Sequence, residues 1–126
     1  MTKYAKIISS GSYLPEKILT NKELENIVDT TDEWITERTG IKERRISSKN
    51  ETSVDMAYNA SIEAINKSDI NKDDIGAIFL ATCTPERKFP STAVLLQNKL
   101  DIKNAFSFDI NAACTGFVYA LDVAKK

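Results

Sequence analysis

Apolar residues recur along this chain at several spacings, and each spacing predicts a different element. Residues 3–9, Lys-Tyr-Ala-Lys-Ile-Ile-Ser, read as a short strand closed by the turn-forming run Gly11-Ser12-Tyr13-Leu14-Pro15. Thr20, with Glu23 three places on, forms a helix-capping pair that Leu24, Ile27 and Val28 continue at helical spacing. Asp32 is expected to cap a second short helix through Arg38, ended by Gly40, where a left-handed residue costs little. Residues 41–47 are too polar for a core strand and predict an exposed ribbon or loop. After Glu51-Thr52-Ser53, the positions Val54, Met56, Ala57, Ala60, Ile62, Ala64 and Ile65 predict one long amphipathic helix ending near Lys67.

The second half alternates strand and helix. Residues 77–83, Ala-Ile-Phe-Leu-Ala-Thr-Cys, form an almost continuous apolar run, as in a central parallel strand buried on both faces. Ser91 then caps a helix carrying Val94, Leu95, Leu96 and Leu100; residues 105–111 read as a third strand, and residues 114–126 as a helix with Phe117, Val118, Ala120, Leu121 and Ala124 apolar. Strands separated by helices of this length imply βαβ crossovers, hence an α/β fold with a mostly parallel β-sheet and covering helices. The last helix is unusually apolar for an outer one and stops at Lys125-Lys126 without a cap, so the domain spanning 1–126 is expected to be truncated at its C-terminal end.

Composition narrows the function classes. The chain has 126 residues, the size of one domain or a piece of one, with 42% apolar and 28% charged residues as in ordinary globular proteins. A net charge of −1 supplies no global field toward nucleic acid or an anionic membrane. No apolar run approaches the about 20 residues of a membrane span, and the start gathers no signal-peptide core, so a cytoplasmic protein is expected. Cys83 and Cys114 are accompanied by no histidine, which leaves no zinc set and no redox pair of familiar spacing; no metal is expected.

The chemistry concentrates at Cys114. The run Phe108-Asp109-Ile110-Asn111-Ala112-Ala113-Cys114-Thr115-Gly116-Phe117 leads from a strand through small residues to a thiol at the start of a helix. There the positive end of the helix dipole favours a thiolate, and the carboxyl edge of an α/β sheet is where such folds place their sites. Ala112, Ala113 and Gly116 would leave room for a carbonyl to approach the sulfur and for backbone N–H groups to meet an oxyanion. The competing reading is a buried packing cysteine.

Sequence context decides between the two. The segment 108–121 closely resembles the active-site segment of the β-ketoacyl-[acyl-carrier-protein] synthase III family. Gly11-Ser12-Tyr13-Leu14-Pro15, Asp32-Glu33-Trp34-Ile35 with Arg38-Thr39-Gly40-Ile41, and Phe89-Pro90-Ser91 agree with it in order and spacing. The resemblance covers nearly the whole chain and the N-terminal half of the family's thiolase-like fold. It implies an acyltransferase that starts fatty acid synthesis: an acyl group, most often acetyl, passes from acyl-CoA to Cys114, and malonyl-[acyl-carrier-protein] then loses CO2 and condenses with it. In the family a histidine and an asparagine from the second half serve the decarboxylation, and these 126 residues contain no histidine. No cofactor is implied, acetyl-CoA being a substrate.

The resemblance also assigns roles elsewhere. Thr30, Trp34 and Arg38 would line the coenzyme A site. On a helix Trp34 and Arg38 share a face, an indole plane for adenine beside a guanidinium fork for phosphate; alternatively Trp34 only packs its helix and Arg38 is solvated. Phe89 would reach across a homodimer to close the partner's acyl pocket, or else tuck against its own subunit. The strand 105–111 would pair with its two-fold mate, as an unprotected apolar edge requires. Lys42, Arg44, Arg45 and Lys49 make either a solvated ribbon or a docking surface for CoA phosphates or an acidic carrier protein. Cys83 is read as structural. The rival readings are a thiolase-like relative with a different acceptor, and a non-catalytic CoA-binding or dimerisation module.

Overall fold

The computed structural model describes residues 4–126, which divide into two compact units: Leu14–Glu51, and the segment up to Tyr13 taken together with Thr52–Lys126. Among the described residues no helix is long and apolar enough to cross a membrane.

The unit Leu14–Glu51 contains strand β1 (Lys17–Thr20), helices α1 (Asn21–Leu24) and α2 (Asp32–Thr39), and strand β2 (Glu43–Ile46). β1 and β2 pair antiparallel from Lys17↔Ile46 to Thr20↔Glu43. The expected ribbon after Ile41 is therefore present, and its partner is a four-residue strand too short to show in the sequence pattern. The capping box is formed: the Glu23 carboxylate accepts from the Thr20 N–H at 2.8 Å, and the Thr20 hydroxyl accepts from the Glu23 N–H at 3.2 Å. α1 nevertheless stops at Leu24, and Ile27 and Val28, expected to extend it, lie exposed in the following turn. The cap of α2 is Thr31, whose hydroxyl accepts from the Trp34 N–H at 3.1 Å, rather than Asp32. Gly40 ends α2 at φ 71°, in the left-handed region, as expected.

In the second unit, helix α3 (Ser53–Asn66), strand β3 (Ala77–Ala81), helix α4 (Thr92–Leu100), strand β4 (Phe106–Ile110) and helix α5 (Gly116–Lys125) follow in order. β3 and β4 run parallel, from Ala77↔Phe106 to Ala81↔Ile110. They are joined through α4, which is the expected βαβ crossover. Ile78 and Leu80 turn one face of β3 toward Leu96, Leu100 and Ile102, where Ala57, Tyr58, Ile62 and Ile65 of α3 complete the core. The other face carries Phe79, Phe106 and Phe108, with Phe79 edge-on to the other two at 5.7 and 5.0 Å. Phe106 and Phe108 are exposed, so burial on both faces is not reached: α3 and α4 cover the Ile78 and Leu80 face, and Gly116 at the start of α5 lies against Ala81.

The strand expected over residues 3–9 does not form over the described residues 4–9, and Lys3 lies outside them. No strand pairs with this segment among the described residues, and Ile7 and Ile8 stay exposed. The chain is tied instead to α3. The Ser9 hydroxyl donates to the Ala64 carbonyl at 2.6 Å, and the Ser12 N–H to the Glu63 carboxylate at 2.6 Å. Gly11 lies so close to the Ala60 carbonyl that a Cβ would overlap it.

Candidate active site

Cys114 lies four residues past the end of β4, in a single 3-10 turn, Ala113–Thr115, that runs directly into α5. The helix proper thus begins two residues later than the hydrophobic spacing suggested. The turn is closed at Ala112, whose carbonyl accepts from the Thr115 N–H at 3.0 Å and from the Thr115 hydroxyl at 2.7 Å. Ala113 takes φ 43°, left-handed for a residue with a side chain, where occupancy costs of order 1 kcal/mol. A strained residue directly before a reactive side chain is a common way to hold that side chain out from the backbone. The Cys114 thiol is free and exposed.

The thiol borders an apolar cavity of about 660 Å³ lined by Ala60, Ser61, Leu80, Ala81, Phe117 and Leu121, among others. Small side chains from α3 leave the space, and Phe117 and Leu121 of α5 wall it. Such a volume falls within the usual range of small-molecule sites, and its lining suits an aliphatic group more than a charged one. The expectation for Gly116 needs correction. It is buried, and a Cβ there would come within 3.1 Å of the Ala81 Cβ, so its missing side chain lets α5 approach β3. Room for a substrate carbonyl has to come from Ala112 and Ala113.

Asp109 is the residue whose task the sequence pattern did not reveal. Its carboxylate accepts from the Thr92 N–H at 2.8 Å and the Ala93 N–H at 2.7 Å, the first two donors of α4. The Ser91 hydroxyl takes the Val94 N–H, so the first three N–H groups of the helix are paired with side chains before the intrahelical ladder begins at Leu95 N–H to the Ser91 carbonyl. An acidic residue at an inward position of an otherwise apolar strand was the available signal.

In the unit Leu14–Glu51, Trp34 is about half exposed and lines a cavity of about 250 Å³ with Asp29, Thr30 and Thr31. The Arg38 guanidinium lies over the indole, 5.1 Å from its centroid. Thr30, Trp34 and Arg38 are therefore gathered as the sequence suggested, with one face of the indole already taken by Arg38. The basic cluster is partly consumed within its own unit. Arg44 donates to the Asn21 side-chain oxygen at 2.9 Å, while Arg45 donates to the Pro15 carbonyl at 3.3 Å and faces Glu43 at 3.6 Å. Phe89 is 88% exposed on the loop before α4, and Cys83 is exposed rather than packed.

No family model matches the chain. The β-ketoacyl-[acyl-carrier-protein] synthase III of Ehrlichia chaffeensis is 55% identical over 124 residues, 98% of this chain and 39% of its own length. The synthase III of Aquifex aeolicus is 56% identical over 121 residues, 96% of this chain and 39% of its own length. A crystal structure of the Aquifex aeolicus VF5 3-oxoacyl-[acyl-carrier-protein] synthase III superposes with a TM-score of 0.90 at 55% identity, covering 94% of this chain and 38% of that one. The chain spans about two fifths of the length of these relatives. Over that stretch the chain is similar in sequence to these β-ketoacyl-[acyl-carrier-protein] synthase III relatives and shares the thiolase-like fold of the solved one.

Proposed function

We propose that the protein to which these residues belong is an acyltransferase that primes fatty acid synthesis, with Cys114 as the acyl-accepting nucleophile. The observation that carries this reading is an exposed thiol on a strained strand-to-helix turn at the mouth of an apolar cavity, within a chain similar to synthase III over 98% of its length. The Cys114 thiol loses its proton, the thiolate attacks the thioester carbonyl of acyl-CoA, the C–S bond to coenzyme A breaks, and coenzyme A leaves as a thiolate that takes up a proton, so that the proton count is unchanged. Malonyl-[acyl-carrier-protein] then releases CO2, the resulting carbanion attacks the Cys114 thioester, and the sulfur departs as thiolate, giving a β-ketoacyl-carrier protein. The loading step can be assigned to residues of this chain. The decarboxylative step requires a partner for the developing enolate that a chain without histidine does not supply in the family's usual form.

Coenzyme A is proposed to be recognised by Thr30, Trp34 and Arg38, supported by their gathering around one cavity and one indole face. A homodimer is proposed on the exposed Phe106 and Phe108 of β4, which a monomer would leave in water, and Phe89 is proposed to serve the partner's acyl pocket. A thiolase-like domain over 1–126 and a cytoplasmic location stand as further parts of the same proposal.

The test is to incubate the protein with isotope-labelled acetyl-CoA and map the label by peptide mass spectrometry. A labelled thioester on Cys114, lost in Cys114→Ala, is expected. Label elsewhere, or label that survives Cys114→Ala, would end the nucleophile assignment. Coenzyme A binding without any adduct would favour a non-catalytic binding module.

A further inference from the structure

Residues 83–91 leave β3 and return to α4 as a loop, and both ends of that loop are fastened to β4. At its start the Thr82 N–H donates to the Ile110 carbonyl at 3.1 Å. At its end the Thr92 and Ala93 N–H groups donate to the two carboxylate oxygens of Asp109. The base of the loop is therefore pinned at two consecutive residues of the strand, Asp109 and Ile110, five and four residues before Cys114. The loop carries Phe89, the most exposed large apolar side chain of the described residues, at the sheet edge where the thiol lies.

A second polar contact locks the same helix to the same strand. The Ser107 hydroxyl donates to the Gln97 side-chain oxygen at 2.7 Å, and the Gln97 amide donates to the Ala105 carbonyl at 2.7 Å and the Ile102 carbonyl at 3.1 Å. Ser107 and Asp109 are the two residues of β4 on the face that meets α4, and both are polar where the core would accept apolar side chains. Apolar packing tolerates a small slide of helix against strand; charge-assisted hydrogen bonds to two successive N–H groups do not. Thr92 and Ala93 are fully buried, so water cannot replace the carboxylate without opening the helix end.

We infer that Asp109 is a positioning residue for acyl transfer, fixing the start of α4 and the base of loop 83–91 against the strand end that presents Cys114. The inference rests on the acyl-transfer reading above. Asp109 acts through geometry and touches no reacting atom, so its loss should alter how an acyl donor is seated and leave the intrinsic reactivity of the thiol alone.

The experiment uses the full chain with Asp109→Asn and, approaching the same contact from the donor side, Thr92→Pro. Asparagine keeps one acceptor and turns an amide N–H2 toward the other donor. Proline removes the Thr92 N–H at the first helical position, where its ring is well tolerated. Two rates are measured per folded molecule: acetyl transfer from acetyl-CoA to Cys114, and alkylation of Cys114 by iodoacetamide across pH. Both variants are expected to transfer acetyl about tenfold more slowly, the scale of a sub-ångström misplacement, with the alkylation pH profile unchanged. Acetyl transfer within twofold of wild type in the folded variants, whatever their melting temperature, would make Asp109 a helix cap and nothing more and overturn the inference. A shifted alkylation profile would overturn it too, by showing that Asp109 acts on the thiol itself. If Thr92→Pro fails to fold, Asp109→Asn alone decides. Failure of the wild-type chain to take acetyl at Cys114 is a separate result, which removes the acyl-transfer reading and this inference with it.

Discussion

The two units are held together by different physics. In the unit containing Thr52–Lys126 the interior is apolar: Leu96, Leu100 and Ile102 are buried under Ile78 and Leu80 of the sheet and the inner side of α3. In Leu14–Glu51 the buried centre is Asn21. Its amide nitrogen donates to the Ile41 carbonyl at 2.7 Å and the Asp32 carboxylate at 2.8 Å, its oxygen accepts from Arg44, and its backbone N–H donates to the Lys42 carbonyl at 3.1 Å. One side chain thus joins α1, α2, the loop after α2 and β2, with Ile35 the large apolar residue buried in the same unit. A hydrophobic core tolerates conservative exchange, whereas a polar hub of this kind is specific to one geometry and fails when one member is removed. The unit proposed to hold coenzyme A is therefore centred on directional bonds, and the unit that carries the thiol on apolar area, with directional contacts from Asp109 and Gln97 added between α4 and β4.

The comparison can be broken at each centre. Leu96→Ala should cost about 3 kcal/mol of unfolding free energy, the usual range for a buried leucine truncated in a packed core, while Leu96→Met should cost under about 1.5 kcal/mol. Chemical denaturation of the three proteins side by side measures this. A loss of well under 1 kcal/mol for the alanine variant would mean that Leu96 is not packed as described.

Asn21 should show the opposite tolerance. Asn21→Leu, which keeps the branching of the side chain but replaces its polar atoms with bulkier methyl groups, is expected to cost about 2 kcal/mol or more because the Ile41 carbonyl, Asp32 and Arg44 all lose a partner. Asn21→Asp should be poorly tolerated at neutral pH, since it sets a second carboxylate at hydrogen-bonding distance from Asp32. Trp34 is the sole tryptophan and lies in this unit, so its fluorescence follows the loss directly. Equal tolerance of leucine at Asn21 and of methionine at Leu96 would erase the distinction between the units.

The same difference explains what the sequence made legible. Helices α3 and α4 and strands β3 and β4 are found within about two residues of where apolar spacing put them, because an apolar core writes its own period into the chain. The α/β class with a mostly parallel sheet followed from that alternation, and the thiolase-like fold from the resemblance carried by the residues around Cys114 and the other matching segments. The polar unit was harder: β1 is four residues long, α1 stops before Ile27, and the cap of α2 falls on Thr31, details governed by single hydrogen bonds. Residues 3–9 have the pattern of a strand, yet a strand also needs a neighbour, which no short window contains. At the candidate site, Cys114, Trp34 and Arg38 were visible as residue types that chemistry uses. The clamp of Asp109, the left-handed Ala113 and the packing role of Gly116 depend on partners 16 or more residues away or on backbone angles, and spacing carries no record of either.

The smallest effects concern surface carboxylates, and they sharpen the comparison by their distribution. The Lys99 ammonium, with the hydroxyl and N–H of Thr52, holds Asp55 well below the ordinary carboxylate range. Glu63 is lowered by Lys67 and the Ser12 N–H, Asp101 by Lys103 and Lys72, and in the other unit Glu23 by the N–H and hydroxyl of Thr20. Each group has a folded pKa below its unfolded value of about 4, so its contribution is complete above that pH and is lost as pH falls through the folded value. These carboxylates are solvent-exposed, so each contribution is small and screened by salt. Three of the four lie in the unit with the apolar core, which should therefore show the steeper loss of hydrogen-exchange protection as pH is lowered from about 5 toward 2. Lys99→Met, by removing the first cause of the Asp55 shift, should flatten that slope and leave the Glu23 capping box untouched. An acid limb unchanged by Lys99→Met would show that the Lys99–Asp55 pair, which ties α4 to the start of α3, contributes nothing in solution.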